Sequence, residues 1–405
     1  MRTLTRVAIG LVTAATLLAA NGPASAGSSA AVPATAPTLT VTGHGWGHGH
    51  GMSQYGAQGA AHQGLTYQQI LDFYYHPATL ASFSGLVRVL ITADTDNNTT
   101  VRNVAGLQLV DLGNQKTYRL RAATTPRAWR MKTVNGRTRV YFRTAKWHLF
   151  RTGGRTALTG AGEFRSANGV LTLRMASGDR RYRGALRFVN SNTVNVLSME
   201  AYLRGVVPSE MPSSWLPAAL QAQAVAARTY AAYERAQNAS GYYQICDTSH
   251  CQVYKGYDNE KASTNAAVTA TAGRILTYQG APAFTQFSSS SGGWTSGGGK
   301  PYLTSKQDKY DLPVDPAKKI GDPHYDWSTT ILVSKLRGFY GPGLVSIQVT
   351  ARENPGTAAQ WGGRVVTVTF HGGPAQADKS MTGDQFRSMF GLRSTYFDIS
   401  TTPTP

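Results

Sequence analysis

Glutamate is scarce in this 405-residue chain, and one of its six glutamates is placed for chemistry. Glu210 stands between Pro208 and Pro212, just ahead of a long helical stretch. A loop stiffened by prolines is a good place to present one acid. Val206, Val207, Met211 and Trp215 are its apolar neighbours in sequence. Desolvation raises a carboxyl pKa, and a glutamic acid still protonated at neutral pH can act as a general acid. On spacing alone an ordinary surface-loop glutamate is the plainer reading. Arg228 follows on the helix, and Gln221, seven residues earlier, shares its face. A cation near the acid could hold a sugar, an acetamido group or a carboxylate; a solvated helix arginine is the plainer reading.

The run Gly43-His44-Gly45-Trp46-Gly47-His48-Gly49-His50-Gly51 invites a metal reading, since imidazole is the commonest metal ligand. No carboxylate is nearby in sequence, and alternate glycines suit close backbone packing in a tight turn or strand pair. Cys246, His250 and Cys251 could supply zinc ligands, but a structural site needs four and no fourth lies close. A Cys246–Cys251 disulfide is the default in an oxidising compartment. A Cys–His protease lacks an evident third residue.

These candidates need elements to carry them. VRVLIT, LQLVDLG, RVYFRT, LTLRM and ALRFV, separated by turn residues such as Asn135-Gly136 and Asn168-Gly169, predict a mainly β region over 86–190. Ile70, Leu71, Phe73 and Tyr74 predict a helix ending near Pro77. Met199 to Val206 suits a short helix, with VPSEMPSS as a loop after it. From Trp215 to about Gln237 the chain is at its most helical, with Ser214 as a cap, Pro217 in the first turn and Leu220, Ala224, Ala227 and Ala231 in a stripe. A second Ala-rich helix is expected near 260–273, and strands and a short helix (383–390) beyond residue 340. The expectation is an α+β fold.

Hydrophobic residues make up 41%, enough for a sizeable core. The formal net charge is +19, and the pI near 10 implies an anionic partner. Arg2 and Arg6, the apolar run Val7 to Ala20, and Ala24-Ser25-Ala26 read as a cleaved signal peptide over 1–26, with Gly27 as the new N-terminus. The apolar run falls short of the ~20 residues of a membrane span, and no later stretch reaches that length. The expected location is secreted, with no membrane span after cleavage; outside the cell nucleic acid is set aside as the anionic partner, leaving wall polymers and membrane surfaces. Residues 27–38 read as a flexible linker and 400–405 as a disordered tail.

MEAYLRGVVPSEMPSSWLPAALQAQAVAARTYAAY (199–233), CDTSHCQVYKGY (246–257) and SSSSGGWTS (288–296) closely resemble the SpoIID/LytB core. GWGHGHGMSQYGAQGAA (45–61) is similar to that family's Gly-His-Gly signature, and the segment from GRVVTVTF to STYFDI is similar to its closing part. The resemblance implies a SpoIID catalytic core over 191–310 with a C-terminal α+β part over 311–399. It also implies a β-rich insertion (86–190) and a Gly-His-Gly segment (39–85) in permuted order, packed back against the C-terminal part. It implies a lytic transglycosylase acting on glycan strands that an amidase has stripped of peptides. Glu210 falls on the catalytic glutamate and Arg228 on an arginine needed for activity. Gln221, Gln252, Tyr254, Ser291, Gly292, Gly293 and His48 become expected substrate-binding residues. The implied chemistry needs no cofactor and no metal, although some relatives hold zinc beside the cysteine loop; the upstream ligand is missing here. Expected partners are peptidoglycan glycan, anionic wall polymers and a cell-wall amidase. A non-catalytic enhancer of an N-acetylmuramoyl-L-alanine amidase is the alternative. Trp215, Tyr254 and Trp294 are candidates to stack on sugars.

Overall fold

The computed structural model describes residues 29–31, 38–121, 125–374 and 376–400. The expected signal peptide and the tail from Thr401 lie outside the described residues. Within the expected linker, Ser29–Ala31 is a strand that pairs antiparallel with Leu344–Arg352, so that part is ordered by main-chain bonding to a sheet.

Two antiparallel-rich sheets form the first half. A seven-stranded sheet runs in the order Ile245–Cys246, Leu86–Leu90, Asn192–Ser198, Ala185–Val189, Gly162–Arg165, Gln108–Asp111, Lys116–Arg119. A six-stranded sheet runs Trp147–Phe150, Arg137–Arg143, Ala128–Val134, Asn98–Arg102, Val170–Met175, Gly178–Arg183. Alternation explains the pairing: Trp129, Met131, Val140, Leu171 and Leu173 point inward and share one core with Leu109, Phe164, Leu186 and Phe188. The border expected at residue 190 is not a physical break. Asn192–Ser198 is a central strand of the seven-stranded sheet, and Ile245–Cys246 extends the same sheet.

Helices cover this sandwich. α1 (Gln54–His62) and α2 (Tyr67–Tyr75) come from the N-terminal segment. A reciprocal Thr66–Gln69 capping box starts α2. α3 (Met199–Glu210), α4 (Pro217–Gln237) and α5 (Ala262–Ala270) follow the central strand. The helix expected to stop at Val206 runs on to Glu210, through Pro208. Proline removes one helical N–H, but the last turn stays closed by Ser209 Oγ donating to Gly205 O at 2.8 Å and by Met211 N–H donating to Val207 O. α4 is buried from Ala222 to Thr229 without interruption. Its alanines let α1, α2, α3, α5 and the strand Arg274–Tyr278 approach closely. Ser214 does not cap it. Leu216 holds the N-cap position, and its N–H is satisfied instead by Gln58 Oε1 of α1 at 3.0 Å.

The C-terminal part has its own core, built from a four-stranded sheet, a three-stranded sheet, α6 (Val333–Tyr340) and α7 (Gly383–Phe390). The middle strand of the three-stranded sheet is Thr38–His44, flanked by Asp326–Leu332 and Phe397–Ile399. The segment bearing the histidines is therefore anchored in the C-terminal part.

Candidate active site

Glu210 is the last residue of α3 and lines a cavity of about 230 Å³ with His48, Tyr230, Ser249, His250, Cys251, Val253, Gln286 and Phe287. It is the only carboxylate in that lining. The Val253 N–H donates to Oε1 at 3.0 Å, and Oε2 has no hydrogen-bond partner among the described residues. Burial pushes the Glu210 carboxyl above the ordinary glutamate value. The Val253 N–H and the charge of Lys255 pull it down and are outweighed.

His48 forms the opposite kind of wall. Burial, reinforced by His50, Arg364 and Arg387, lowers its pKa to about 3, so it is neutral. His50 N–H donates to its Nδ1 at 2.9 Å, which places the imidazole proton on Nε2. The two rings stack at 4.9 Å. His44 lies elsewhere, 2.7 Å from Asp326 and stacked on Trp361, so the three histidines do not converge. Glycine is required between them: Gly49 has φ +77°, and a Cβ there would sit 2.3 Å from Arg364 Nη2.

Cys246 and Cys251 form a disulfide, with Cα atoms 5.5 Å apart, in the loop that carries Ser249 and His250 to the cavity rim. Neither sulfur is then a thiolate for zinc. Among the described residues no group of three or more His, Cys, Asp or Glu is placed to hold a metal.

Several expected site residues are elsewhere, and their positions correct the sequence reading. Arg228 has no exposure at all. Its Nε and Nη2 donate to Glu200 at 2.9 and 2.7 Å, and further bonds reach the carbonyls of Val268 and Arg274. It ties α3, α4, α5 and the following strand together and does not line the cavity. The reason is that α4 is buried all round, so no solvated face exists at that position. Gln221 lines a separate groove with Leu65, Leu216 and Pro217. Gln252 and Tyr254 are buried at 2% exposure each. Gln252 accepts from Tyr202 Oη and donates to Ala227 O, and Tyr254 Oη donates to Asn195 Oδ1 at 2.8 Å. These bonds fix the two residues flanking Val253, and so fix the N–H that holds Glu210.

Ser291, Gly292 and Gly293 form a turn over a buried aspartate cluster. Ser291 Oγ donates to Asp308 and Asp311 at 3.0 and 2.8 Å, and the N–H groups of Ser291 and Gly292 point to Asp311 Oδ2. Ser290 binds Asp322, and Ser53, the N-cap of α1, binds Asp311. The turn braces the histidine segment through paired main-chain bonds between Trp46 and Ser290; it does not line the cavity.

Sequence reasoning did not find Tyr230, Val253 or Phe287, because each reaches Glu210 through the fold. It also did not find a belt of rings: Trp215 meets Tyr55 at 4.9 Å, Tyr55 meets His324 at 5.5 Å, and His324 meets Trp46 at 4.6 Å. Trp46 is 43% exposed. Of the rings expected to stack on sugars, Trp215 belongs to this belt, Tyr254 is buried, and Trp294 donates to Ser305 Oγ.

A helix-terminal buried acid, faced by a neutral histidine and held by a disulfide-bearing loop, coincides with a segment of known lineage. Residues 189–278 match the family model for SpoIID, the stage II sporulation protein. That match carries Glu210, Arg228 and the disulfide loop, so this stretch is SpoIID-like. It is 36% identical over 140 residues to the amidase enhancer of Bacillus subtilis, covering 33% of this chain and 17% of that protein. It is 32% identical over 233 residues to stage II sporulation protein D of Bacillus amyloliquefaciens, covering 52% of this chain and 62% of that protein. The corresponding Bacillus subtilis protein is 29% identical over 233 residues, 52% of this chain and 63% of its own length. The chain thus spans less than two thirds of each of these relatives.

Proposed function

We propose that this protein is a secreted, wall-directed lytic transglycosylase, with Glu210 as its acid and base. The observation that carries the reading is a single buried carboxylate, raised above the ordinary glutamate value by burial, in a cavity whose lining holds no second one. Hydrolytic glycosidases ordinarily pair two carboxylates, one of them activating water or attacking the sugar. An intramolecular nucleophile removes that need.

Glu210 would protonate the oxygen joining N-acetylmuramic acid to N-acetylglucosamine. The bond from the muramyl anomeric carbon to that oxygen breaks, with oxocarbenium character at the carbon. The muramyl C6 hydroxyl then bonds to the same carbon and gives its proton to the Glu210 carboxylate. A 1,6-anhydro end is left, the acid is regenerated, and no water is consumed. Tethering the nucleophile supplies a large effective molarity. Val253 keeps Oε1 oriented, leaving Oε2 for the proton transfers. Neutral His48 walls the cavity without bringing a positive charge that would strip Glu210 of its proton.

The 36% identity to a relative named amidase enhancer supports a second reading, a glycan binder that assists an amidase. Digestion of amidase-stripped glycan with the protein and with Glu210→Gln, read by mass spectrometry, tests both. Anhydromuramyl products from the unmodified protein alone are expected. Reducing-end products would mean hydrolysis. Absence of cleavage with glycan binding retained would favour the enhancer.

A further inference from the structure

The positive charge of this chain is concentrated in one place. Residues 86–190 hold 20 of the 40 Lys and Arg but 5 of the 21 Asp and Glu, a balance of +15 in a chain of +19. This stretch lies outside the family match at 189–278, apart from its last two residues.

The six-stranded sheet turns much of that charge to one face. Trp129, Met131 and Val140 point into the core, so the alternate residues of the strands Ala128–Val134 and Arg137–Arg143 point away from it. Those residues include Arg130 and Lys132 on one strand and Arg137, Arg139 and Arg143 on the other. The register sets Tyr141 opposite Arg130 and Arg139 opposite Lys132. Residues two apart on a strand are separated by about 6.8 Å. The five cations therefore form a two-rail lattice.

The two ends of the sheet differ. Toward the body of the protein the basic side chains are matched: Arg102 by Asp179, Arg181 by Asp258, Arg183 by Glu260. None of the five lattice cations lies in an ion pair with any described residue. Like charges crowd there, and the Arg130 guanidinium is pushed down by burial and further by Arg143 and Arg174, against the pull of Asp96. The cations are also oriented. Arg130 and Arg143 lie 4.1 and 5.8 Å from the Trp147 ring, and Lys132 lies 5.4 Å from the Tyr141 ring. A merely solvated face would have no reason to gather unmatched charge and to hold three of its five cations against rings.

We infer that this sheet face binds a linear phosphodiester polyanion of the cell wall, clamped by Arg130, Lys132, Arg137, Arg139 and Arg143, and so holds the enzyme at its substrate. The choice of the wall rests on the proposed function; the demand for a polyanion rests on the sheet alone. Arginine forks suit phosphate oxygens, and a polymer with one charge per short unit meets successive rungs of the lattice.

The test is co-sedimentation of the full chain with Gram-positive walls carrying teichoic acid, and with the same walls after hydrofluoric acid has removed their phosphodiester polymers. Retention on intact walls and its loss on stripped walls is expected. With four to five phosphate contacts, affinity should fall about a hundredfold between about 50 and about 200 mM salt. The quadruple variant Arg130→Gln/Lys132→Gln/Arg139→Gln/Arg143→Gln should lose that retention yet still digest soluble glycan, and Arg139→Lys/Arg143→Lys should keep it. Equal binding to stripped walls, or tighter binding of duplex DNA than of intact walls at the same salt, would overturn the inference. Cleavage is not the readout, so the anchoring face and the catalytic assignment fail separately.

Discussion

The main-chain N–H of Val253 holds Oε1 of Glu210 at 3.0 Å, across 43 residues of sequence. One oxygen of the acid is thus oriented by a loop that the disulfide closes on one side and the buried Gln252 and Tyr254 clamp in place. Glu210→Gln keeps an acceptor for that N–H and removes the proton cycle. Cleavage of stripped glycan should vanish while the fold persists. In the proposed mechanism the acid form is the active one, so the rate should decline as pH rises through a value above the ordinary ~4.3 of glutamate. Linkage gives a companion effect. A carboxyl raised on folding contributes stability fully present below its unfolded value and lost as pH rises through its folded value. The melting temperature of Glu210→Gln relative to the parent should therefore climb from acid toward neutral pH; a constant difference would refute the buried, raised carboxyl.

Arg228→Ala should cost about 2 to 5 kcal/mol, because it empties a fully buried site and leaves the carbonyls of Val268 and Arg274 without that donor, while Glu200, a third exposed, keeps access to water. The loss should be seen in urea unfolding. Activity per folded molecule should stay near that of the parent, since Arg228 does not reach the cavity. Glu200→Gln/Arg228→Met should regain much of the stability. A large drop in kcat at full folding would instead place the guanidinium in the reaction.

His48 should remain neutral throughout the range in which exposed histidines titrate, between about pH 5 and 8. Its ring resonances in an NMR titration should be flat there. The sign of its linkage is opposite to that of Glu210: lowering on folding makes stability fall as pH drops from the ordinary ~6.5 toward the folded value of about 3. His48→Asn should soften that acid limb. A ring that titrates near 6.5 would contradict the buried wall.

Asp308 and Asp322 are raised to about 7 and about 8, by burial first and then by the charge of Asp311. The same linkage makes them a burden as pH rises through those values. Melting temperature should fall from about pH 4, the ordinary aspartate value, up to those folded values and level off above them, and Asp308→Asn/Asp322→Asn should flatten that limb. The loss should be accompanied by loosening of the Ser291 turn, followed by hydrogen exchange of the Ser291 and Gly292 amides that point to Asp311. A limb unchanged in the double variant would assign the fall to other groups.

Much of the frame was legible because it rests on local period. The alternating runs of 86–190 are strands, the stretch beginning at Tyr67 is a helix, and the segment 383–390 is the helix α7. α1 was not legible: Gly56 and Gly59 weaken a helix, yet each is needed, since a Cβ would meet Tyr74 Oη at 2.0 Å and Tyr310 O at 2.1 Å. Ser53 ahead of it was the one local clue.

In the site, Glu210 could be singled out because it is a rare acid beside prolines. Its partners could not, because Tyr230, Val253 and Phe287 meet it only through packing. Arg228 was misplaced for a readable reason. Leu220, Ala224, Ala227 and Ala231 suggest one apolar side, whereas alanines recur on every side from Ala222 to Ala232, the pattern of a helix buried all round. The aspartate cluster had no local signature; Asp308, Asp311 and Asp322 acquire meaning only when Ser53 and Ser290 arrive from far away.

The strand Thr38–His44 is held between strands that come much later in the chain, and Gly47 N–H bonds to Arg393 O. His48 therefore takes its place only after some 350 further residues have been made and folded, as the Ser394 to His44 bond spans that separation. A growing or clipped chain carries Glu210 on its helix without the wall that completes the cavity. On the proposed reading, a chain that would cut the mesh enclosing its own cell gains its complete cavity only when that last core strand is in place, so the timing of competence is written into the connectivity.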